Sequence, residues 1–391
     1  MEYETQINWY DLKDYEILYL NEGIFKDLIN QGIKKAGSLS KLCLKLNSMQ
    51  LYNILKNNEG ISVKTLRKLL DYLEIKYDLV NDTITEIRKG TKPSIKNPKF
   101  PINLQNNKIG SLIGHLMSDG CLYKDNSRKN LIRTKYCSDE KEGINNFVNS
   151  LNKVFGEVHF NQEVIRNCIQ IRIGNGVIGE VFRRAGVTVG KKYKFNEGLP
   201  WIIKDGTKEI KRAYLSAIFD DEGSVGKKPF PYIILSRNIH VNFTNEERDL
   251  LERDIVPIMN DSYFPTGHST KQIPIRVLKE LLEKGGALEL LKIIIDSKPK
   301  ILVDESNLLK KGFGIDNSVY VIALQLTSNG NYSIKSSLVI RKKKDVNKFY
   351  KEIGFRLSKK QKKLKEALIS RRWLDNGIKT IQYLNEKEGS I

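Results

Sequence analysis

The sequence predicts an α+β protein in which a small all-α domain precedes two divergent copies of one unit of helices and strands. Three observations predict it. The first 95 residues carry helical periodicity. A stretch rich in proline and lysine, RKGTKPSIKNPKFP from Arg88 to Pro101, separates them from a region where helix and strand patterns alternate. In that region two helices share a pattern: small residues four apart, then an acid and a glycine, the two acids lying 103 residues apart.

Composition narrows the partner. The 391 residues include 66 Lys and Arg against 46 Asp and Glu, a formal net charge of +20. Such an excess favours a polyanion, DNA or RNA first; a basic protein that is merely soluble is the alternative. The excess is uneven. Lys335 to Lys365 holds 13 basic and 2 acidic residues, Lys342 and Lys343 among them. Such runs suit phosphate neutralisation or form a solvated face. No apolar run is long enough to cross a bilayer, and the acidic, aromatic start MEYETQINWYDLKDYE is not a signal peptide. A cytoplasmic location is expected. Cys43, Cys121, Cys137 and Cys168 show no C-x-x-C spacing and predict idle thiols, not a zinc site.

In chain order, three short amphipathic segments come first. Leu39, Leu42 and Leu46 line one. Ser48 caps the next, which carries Leu51, Ile54 and Leu55, and Ser62 caps a third with Leu66, Leu69, Leu70 and Leu73. Two helices joined by a tight polar turn, with a third behind, form a helix-turn-helix; an ordinary helical interaction domain shares the pattern. The first would set Ser48–Lys56 in the major groove with Gln50, Asn53 and Lys56 outward, amides on adenine edges and the lysine on a phosphate or guanine. Residues 1–95 are read as this domain and 96–103 as a linker.

Residues 104–206 form the first copy: helix 106–119, strands 120–123 and 131–137, helix 139–155, strands 157–160 and 167–173, helix 175–185. Residues 207–368 form the second: helix 207–221, strands 232–236 and 240–243, helix 246–259, a helix-containing insertion, strands 320–326 and 332–339, and a closing helix 344–368 interrupted near GFRLS. The tail, 369–391, is either a last helix or without fixed structure.

The helices that open the copies read LIGHLMSDG and LSAIFDDEG. Aligned on Asp119 and Glu222, Gly110 falls on Ala213, Gly114 on Ala217 and Ser118 on Asp221. A stripe of small residues lets two helix backbones nearly touch, which would bring the two carboxylates together. Acids at helix C-termini meet partial negative charge and also repel each other; a divalent cation removes both penalties. One such ending is an ordinary helix stop. Two in register point to a metal.

The two stretches resemble the paired LAGLIDADG motifs of the dodecapeptide homing endonucleases. KKYKFNEGLPWIIKDGTKEIKRAYLSAIFDDEG is similar to the family's approach to its second motif, and VNKFYKEIGFRLSKKQKKLKEAL to its closing helix. The resemblance spans about 265 residues. It implies a pseudo-twofold tandem αββαββα fold, with two saddle-shaped antiparallel sheets laid in the DNA major groove. It implies a monomer that cuts both strands of a long site and leaves short 3′ overhangs. It implies Mg²⁺, or Mn²⁺ in its place, on Asp119 and Glu222 with backbone carbonyls near Ser118 and Asp221.

A lysine near each scissile phosphate is also implied. Lys192 and Lys194 are candidates for one half. Cys137, with Lys135 two residues earlier, and Thr244 stand where such lysines are often found, and Lys227 and Lys228 follow Glu222. Each lysine reads equally as a DNA-backbone contact. Base contacts are expected from outward-facing Arg128, Arg133 and Lys135, then Arg172, Arg237 and Asn242. Asp221 is expected in the interface register and Asp220 on the surface. A start at Met1 and an end in EKEGSI predict a free-standing reading frame, not an intein.

Three functions compete. The first is a site-specific double-strand DNA endonuclease. The second is a non-catalytic regulator of the same ancestry, which the N-terminal domain favours and the retained Asp119 and Glu222 disfavour. The third is a maturase that acts on intron RNA. The endonuclease is the reading taken forward.

Overall fold

The computed structural model describes residues 4–57, 59–89, 92–125, 131–165, 167–226, 231–260 and 271–369. They form two compact units, residues 1–190 with 205–210, and residues 191–204 with 211–391.

The first unit runs β1 (Gln6–Ile7), β2 (Ile17–Leu20), α1 (Glu22–Ala36), α2 (Leu39–Leu46), α3 (Gln50–Asn57), β3 (Ile61–Ser62), α4 (Val63–Leu73), β4 (Ile84–Lys89), β5 (Lys92–Lys96) and β6 (Ile102–Asn103). It continues with α5 (Asn107–Met117), β7 (Cys121–Asp125), β8 (Leu131–Ser138), α6 (Lys141–Phe155), β9 (Glu157–Val158), β10 (Asn161–Ile165), β11 (Cys168–Ile173) and α7 (Gly176–Arg184).

The N-terminal segment is not all-α. The three expected helices form, with Ser38 and Ser62 capping α2 and α4 through their side chains. Around them stands a five-stranded antiparallel sheet in the order β3-β2-β4-β5-β9. The expected linker is bounded by strand, not by free chain: Ile95 and Lys96 of β5 pair with Val158 and Glu157 of β9. The proline-rich composition suggested a linker, but Ile84, Ile87 and Ile95 are buried and their strands pair with β2, with each other and with β9.

Helix α5 starts where the Asn106 side chain accepts from the Lys108 N–H. Every residue from Ile109 to Met117 is buried. Its small stripe explains how. A Cβ built on Gly110 would lie 2.5 Å from the carbonyl oxygen of Ile210, so backbone meets backbone there. Gly110→Ala is expected to cost about 1–3 kcal/mol by overpacking, read as a lower urea midpoint with an unchanged slope. Behind α5, Tyr136 and Phe147 stack with rings 4.5 Å apart and 18° from parallel, and the tilted His115 ring packs against both. The sheet on this core has the antiparallel order β10-β11-β8-β7.

The second unit runs α8 (Trp201–Lys204), α9 (Lys208–Glu222, whose residues up to Ile210 belong to the first unit), β12 (Gly223–Gly226), β13 (Tyr232–His240), α10 (Asn245–Leu250), α11 (Val256–Asn260), β14 (Lys271–Pro274), α12 (Ile275–Lys284), α13 (Leu288–Asp296), α14 (Lys300–Asn307), β15 (Ser318–Leu326), β16 (Tyr332–Ile340), α15 (Lys343–Glu352) and α16 (Ser358–Leu368). A π-helical turn, Leu251–Ile255, joins α10 to α11. The sheet order is β12-β13-β16-β15-β14. Apart from its edge strand β14, it repeats the first unit's β7-β8-β11-β10, so the αββαββα plan occurs twice. The two short strands expected at 232–236 and 240–243 are one, β13. The helices that follow β13, those of the insertion included, build one core with the sheet, in which Leu251, Ile255, Leu278, Leu282, Leu291 and Ile294 are among the residues that bury Ile239, Leu324 and Ile334. Among the described residues no helix is long and apolar enough to cross a membrane.

Candidate nucleic-acid and metal site

In the first unit, β8 alternates cleanly. Thr134 and Tyr136 are fully buried, while Arg133, Lys135 and Cys137 are half-buried on the opposite face. Cys121 pairs with Lys135 and Tyr123 with Arg133, while Arg172 and Gln170 flank Lys135 and Cys137 from the other side. This face therefore carries Tyr123, Arg133, Lys135, Gln170 and Arg172. Arg133 is ion-paired with Asp125, and Arg172 with Glu163 at 2.5 Å. Both arginines thus sit beside an acceptor, a mixed donor–acceptor surface suited to base edges.

Asp119 lies at the end of this face. It is exposed, two residues beyond α5 and two before Cys121, and Ser118 turns its hydroxyl back onto the Gly114 carbonyl at 2.9 Å. Carrying the β7–β8 register back sets Asp119 level with Cys137. The charges agree: burial pushes the Cys137 thiol up, Lys135 opposes, and Asp119 adds to the rise. Asp119 and Lys135 therefore act on one small area. An exposed hard carboxylate there fits Mg²⁺ or Mn²⁺, which hold waters and substrate phosphates besides one or two carboxylates. Among the described residues no three His, Cys, Asp or Glu side chains are placed to hold a metal by themselves.

The second unit arranges its acid differently. Arg237 donates from Nη1 to Glu222 Oε1 at 2.7 Å and from Nη2 to Glu305 Oε1 at 2.7 Å. The Tyr214 hydroxyl donates to the same Glu305 oxygen at 2.8 Å. Arg237 is 8% exposed and Glu305 0%. Burial works against the Arg237 charge, yet Glu222, Glu305 and Tyr214 outweigh it and raise its pKa. Burial, then Glu305, pushes the Tyr214 hydroxyl well above the usual tyrosine value. Expected on the outward face, Arg237 instead points into the unit. Period two explains this: Ile233, Leu235 and Ile239 are buried on the same side, and Ser236 and Asn238 take the other.

The C-terminal end of α9 is also covered by a cation. Lys360, from α16, donates from Nζ to the Gly223 carbonyl at 2.7 Å and to the Asp220 carbonyl, and reaches those of Phe219 and Asp221 at 3.4 Å. The Asp221 carbonyl, expected on a metal, thus faces an ammonium. Asp220 is not a surface residue. It is 2% exposed and accepts from the Arg356 and Leu357 N–H groups at 2.8 and 3.1 Å, capping the start of α16. Glu222 and its carbonyls as they stand do not fit a second divalent cation.

The remaining candidates scatter. Gln50 is not a free reader of bases. Its amide donates to the Gly60 carbonyl at 3.1 Å and accepts from the Ser62 N–H at 3.2 Å. Asn53 is exposed; the Lys56 side chain lies outside the described ones. Lys192 and Lys194 lie on a short 3₁₀ turn of the second unit. Burial, then Lys194 and Lys191, lowers the pKa of His240 at the end of β13. Asn242 is exposed just past that strand. Lys342 is tied to Asp316 at 2.5 Å, and Lys343 opens α15. Ala213 and Ala217 are buried at 6% and 0%. Arg128, Lys227, Lys228 and the tail from 370 lie outside the described residues. Asp119 belongs to the first unit and most of α9, with Glu222, to the second. Sequence reading missed Tyr214, Glu305 and Lys360. Only Arg237 had a signal, its place in an apolar alternation.

No family model matches this chain, and no curated protein does. Solved structures similar to it include LAGLIDADG homing endonucleases and DUF199/WhiA, whose N-terminal domain is a LAGLIDADG domain. Full-length DUF199/WhiA from Thermatoga maritima is similar at 11% identity over 73% of this chain and 67% of that one, with a TM-score of 0.34. I-DmoI in complex with DNA and Mn is similar at 12% identity over 64% and 97%, TM-score 0.32. The homing endonuclease I-WcaI bound to its DNA recognition sequence is similar at 12% identity over 66% and 85%, TM-score 0.32.

Proposed function

We propose that this chain binds double-stranded DNA as a monomer and hydrolyses its phosphodiester bonds with a divalent cation held at Asp119. The exposed Asp119 carboxylate, at the end of a helix buried from Ile109 to Met117 and beside a sheet face bearing Tyr123, Arg133, Lys135 and Arg172, is the observation that carries it. When bound, the cation polarises the phosphoryl oxygen and lowers the pKa of its water. Lys135 neutralises phosphate charge next to it. The paired Arg133–Asp125 and Arg172–Glu163 groups orient the duplex by offering donors and acceptors together.

The test is incubation with Mg²⁺ and a randomised duplex library, followed by recovery of cut ends. Discrete ends support the reading. Intact duplexes that are selectively retained support the second reading, a non-catalytic DNA-binding regulator, which the arginine-held Glu222 favours. Under either reading the +20 charge makes retention steeply salt-dependent. With six to ten phosphate contacts, affinity should fall by about 10³–10⁵ between 50 and 200 mM salt. A flat filter-retention curve across that range would argue against both.

A further inference from the structure

At the end of α9 the chain supplies its own cations. Arg237 holds Glu222 at 2.7 Å, and Lys360 holds the Gly223 carbonyl at 2.7 Å while covering three more carbonyls of the last turn. The helix terminus and its acid, which together carry the negative charge that calls for a metal, are therefore already neutralised. Arg237 is fixed in turn by Glu305, which is fully buried and takes a second hydrogen bond from Tyr214. A divalent ion could take Glu222 only by breaking a charge-assisted bond from an arginine that has little room to turn elsewhere.

We propose that Arg237 and Lys360 act as resident cations that exclude divalent metal from Glu222, so that the chain cuts one DNA strand much faster than the other. The metal part stands on the second unit alone. The strand bias rests on the metal-dependent hydrolysis proposed above. In-line hydrolysis of each strand needs an activated water and a Lewis acid. Arg237 can offer positive charge at the Glu222 end but cannot activate water as a metal does. The Glu222 carboxylate here neutralises an arginine, and Arg237 is a positioning residue for it.

Two measurements test this. Mn²⁺ binding is read without DNA from the loss of the free-ion electron paramagnetic resonance signal. Wild type and Glu222→Gln should give the same titration. Lys360→Met, and separately the charge-balanced pair Arg237→Met with Glu305→Gln, should bind Mn²⁺ about tenfold more tightly, and adding Glu222→Gln should remove the gain. Weaker Mn²⁺ binding by Glu222→Gln alone overturns the proposal, and so does release variants that fold, by circular dichroism, yet gain nothing. If those variants do not fold, the comparison of wild type with Glu222→Gln still decides.

The second measurement uses a supercoiled plasmid library with randomised inserts and Mn²⁺. Open circles should accumulate before linear DNA; linear DNA as the first product refutes the strand bias. No cleavage at all, with the titrations as expected, removes the hydrolytic reading and leaves the metal exclusion standing.

Discussion

Asp119→Asn is expected to lower the cleavage rate by about 10³-fold or more while the duplex stays bound. A Lewis acid on the phosphoryl oxygen and the water it activates contribute several kcal/mol to the barrier, and each 1.36 kcal/mol is tenfold in rate. Asparagine keeps the shape but is a poor ligand for a hard dication. Because Asp119 is exposed, the fold should feel the change by no more than about 0.5 kcal/mol. DNA affinity should hold or rise slightly, since a negative charge leaves the phosphate face. Lys135→Met supplies the contrast: it weakens retention across all sequences and reduces the salt slope by about one. Single-turnover cleavage and filter retention on the same preparations separate the two effects. Asp119→Asn that cuts at the wild-type rate would remove the carboxylate from the chemistry.

Most of the fold was legible because it is written in local patterns. Alternation over Leu131–Ser138 marked β8, and the stripe Gly110–Gly114–Ser118 marked a helix that another backbone touches, as Ile210 does at Gly110. What failed were decisions that depend on distant partners. Ile84, Ile87 and Ile95 make strands only because β2 and β9 lie beside them, so a window ending in prolines and lysines looked like a linker. Gln50 occupies a position that a recognition helix would use, but the loop at Gly60 and Ser62 takes its amide. The site shows the same division. Asp119 and Glu222 are singled out by helix-ending motifs. Their different surroundings were hidden, because Glu305 and Lys360 approach from 83 and 138 residues further along the chain. Arg237 was misplaced by its charge. Arginine is usually outside, yet the positions two before and two after it are buried leucine and isoleucine.

Arg237→Ala is expected to destabilise the second unit by about 3–5 kcal/mol, the usual cost of removing one partner from a buried ion pair. Glu305 is fully buried and would keep only the Tyr214 hydroxyl, leaving a carboxylate in a place without water. The size of the loss should depend on Glu305 and not on Glu222. Glu222 is 25% exposed and can turn to solvent, whereas Glu305 has nowhere to turn. Arg237→Met with Glu305→Leu should therefore recover most of the loss, because apolar groups of similar size often replace a buried pair at little cost. The remaining deficit, about 1–2 kcal/mol, is the unpaired Tyr214 hydroxyl, and Tyr214→Phe in that background should relieve it. Arg237→Ala with Glu222→Gln should recover much less. Urea midpoints of these variants decide the matter. If Glu222→Gln rescues as well as Glu305→Leu, the arginine's principal anchor is the motif acid. The buried glutamate would then be a bystander, and Arg237 would be free to leave with Glu222 whenever a metal arrives.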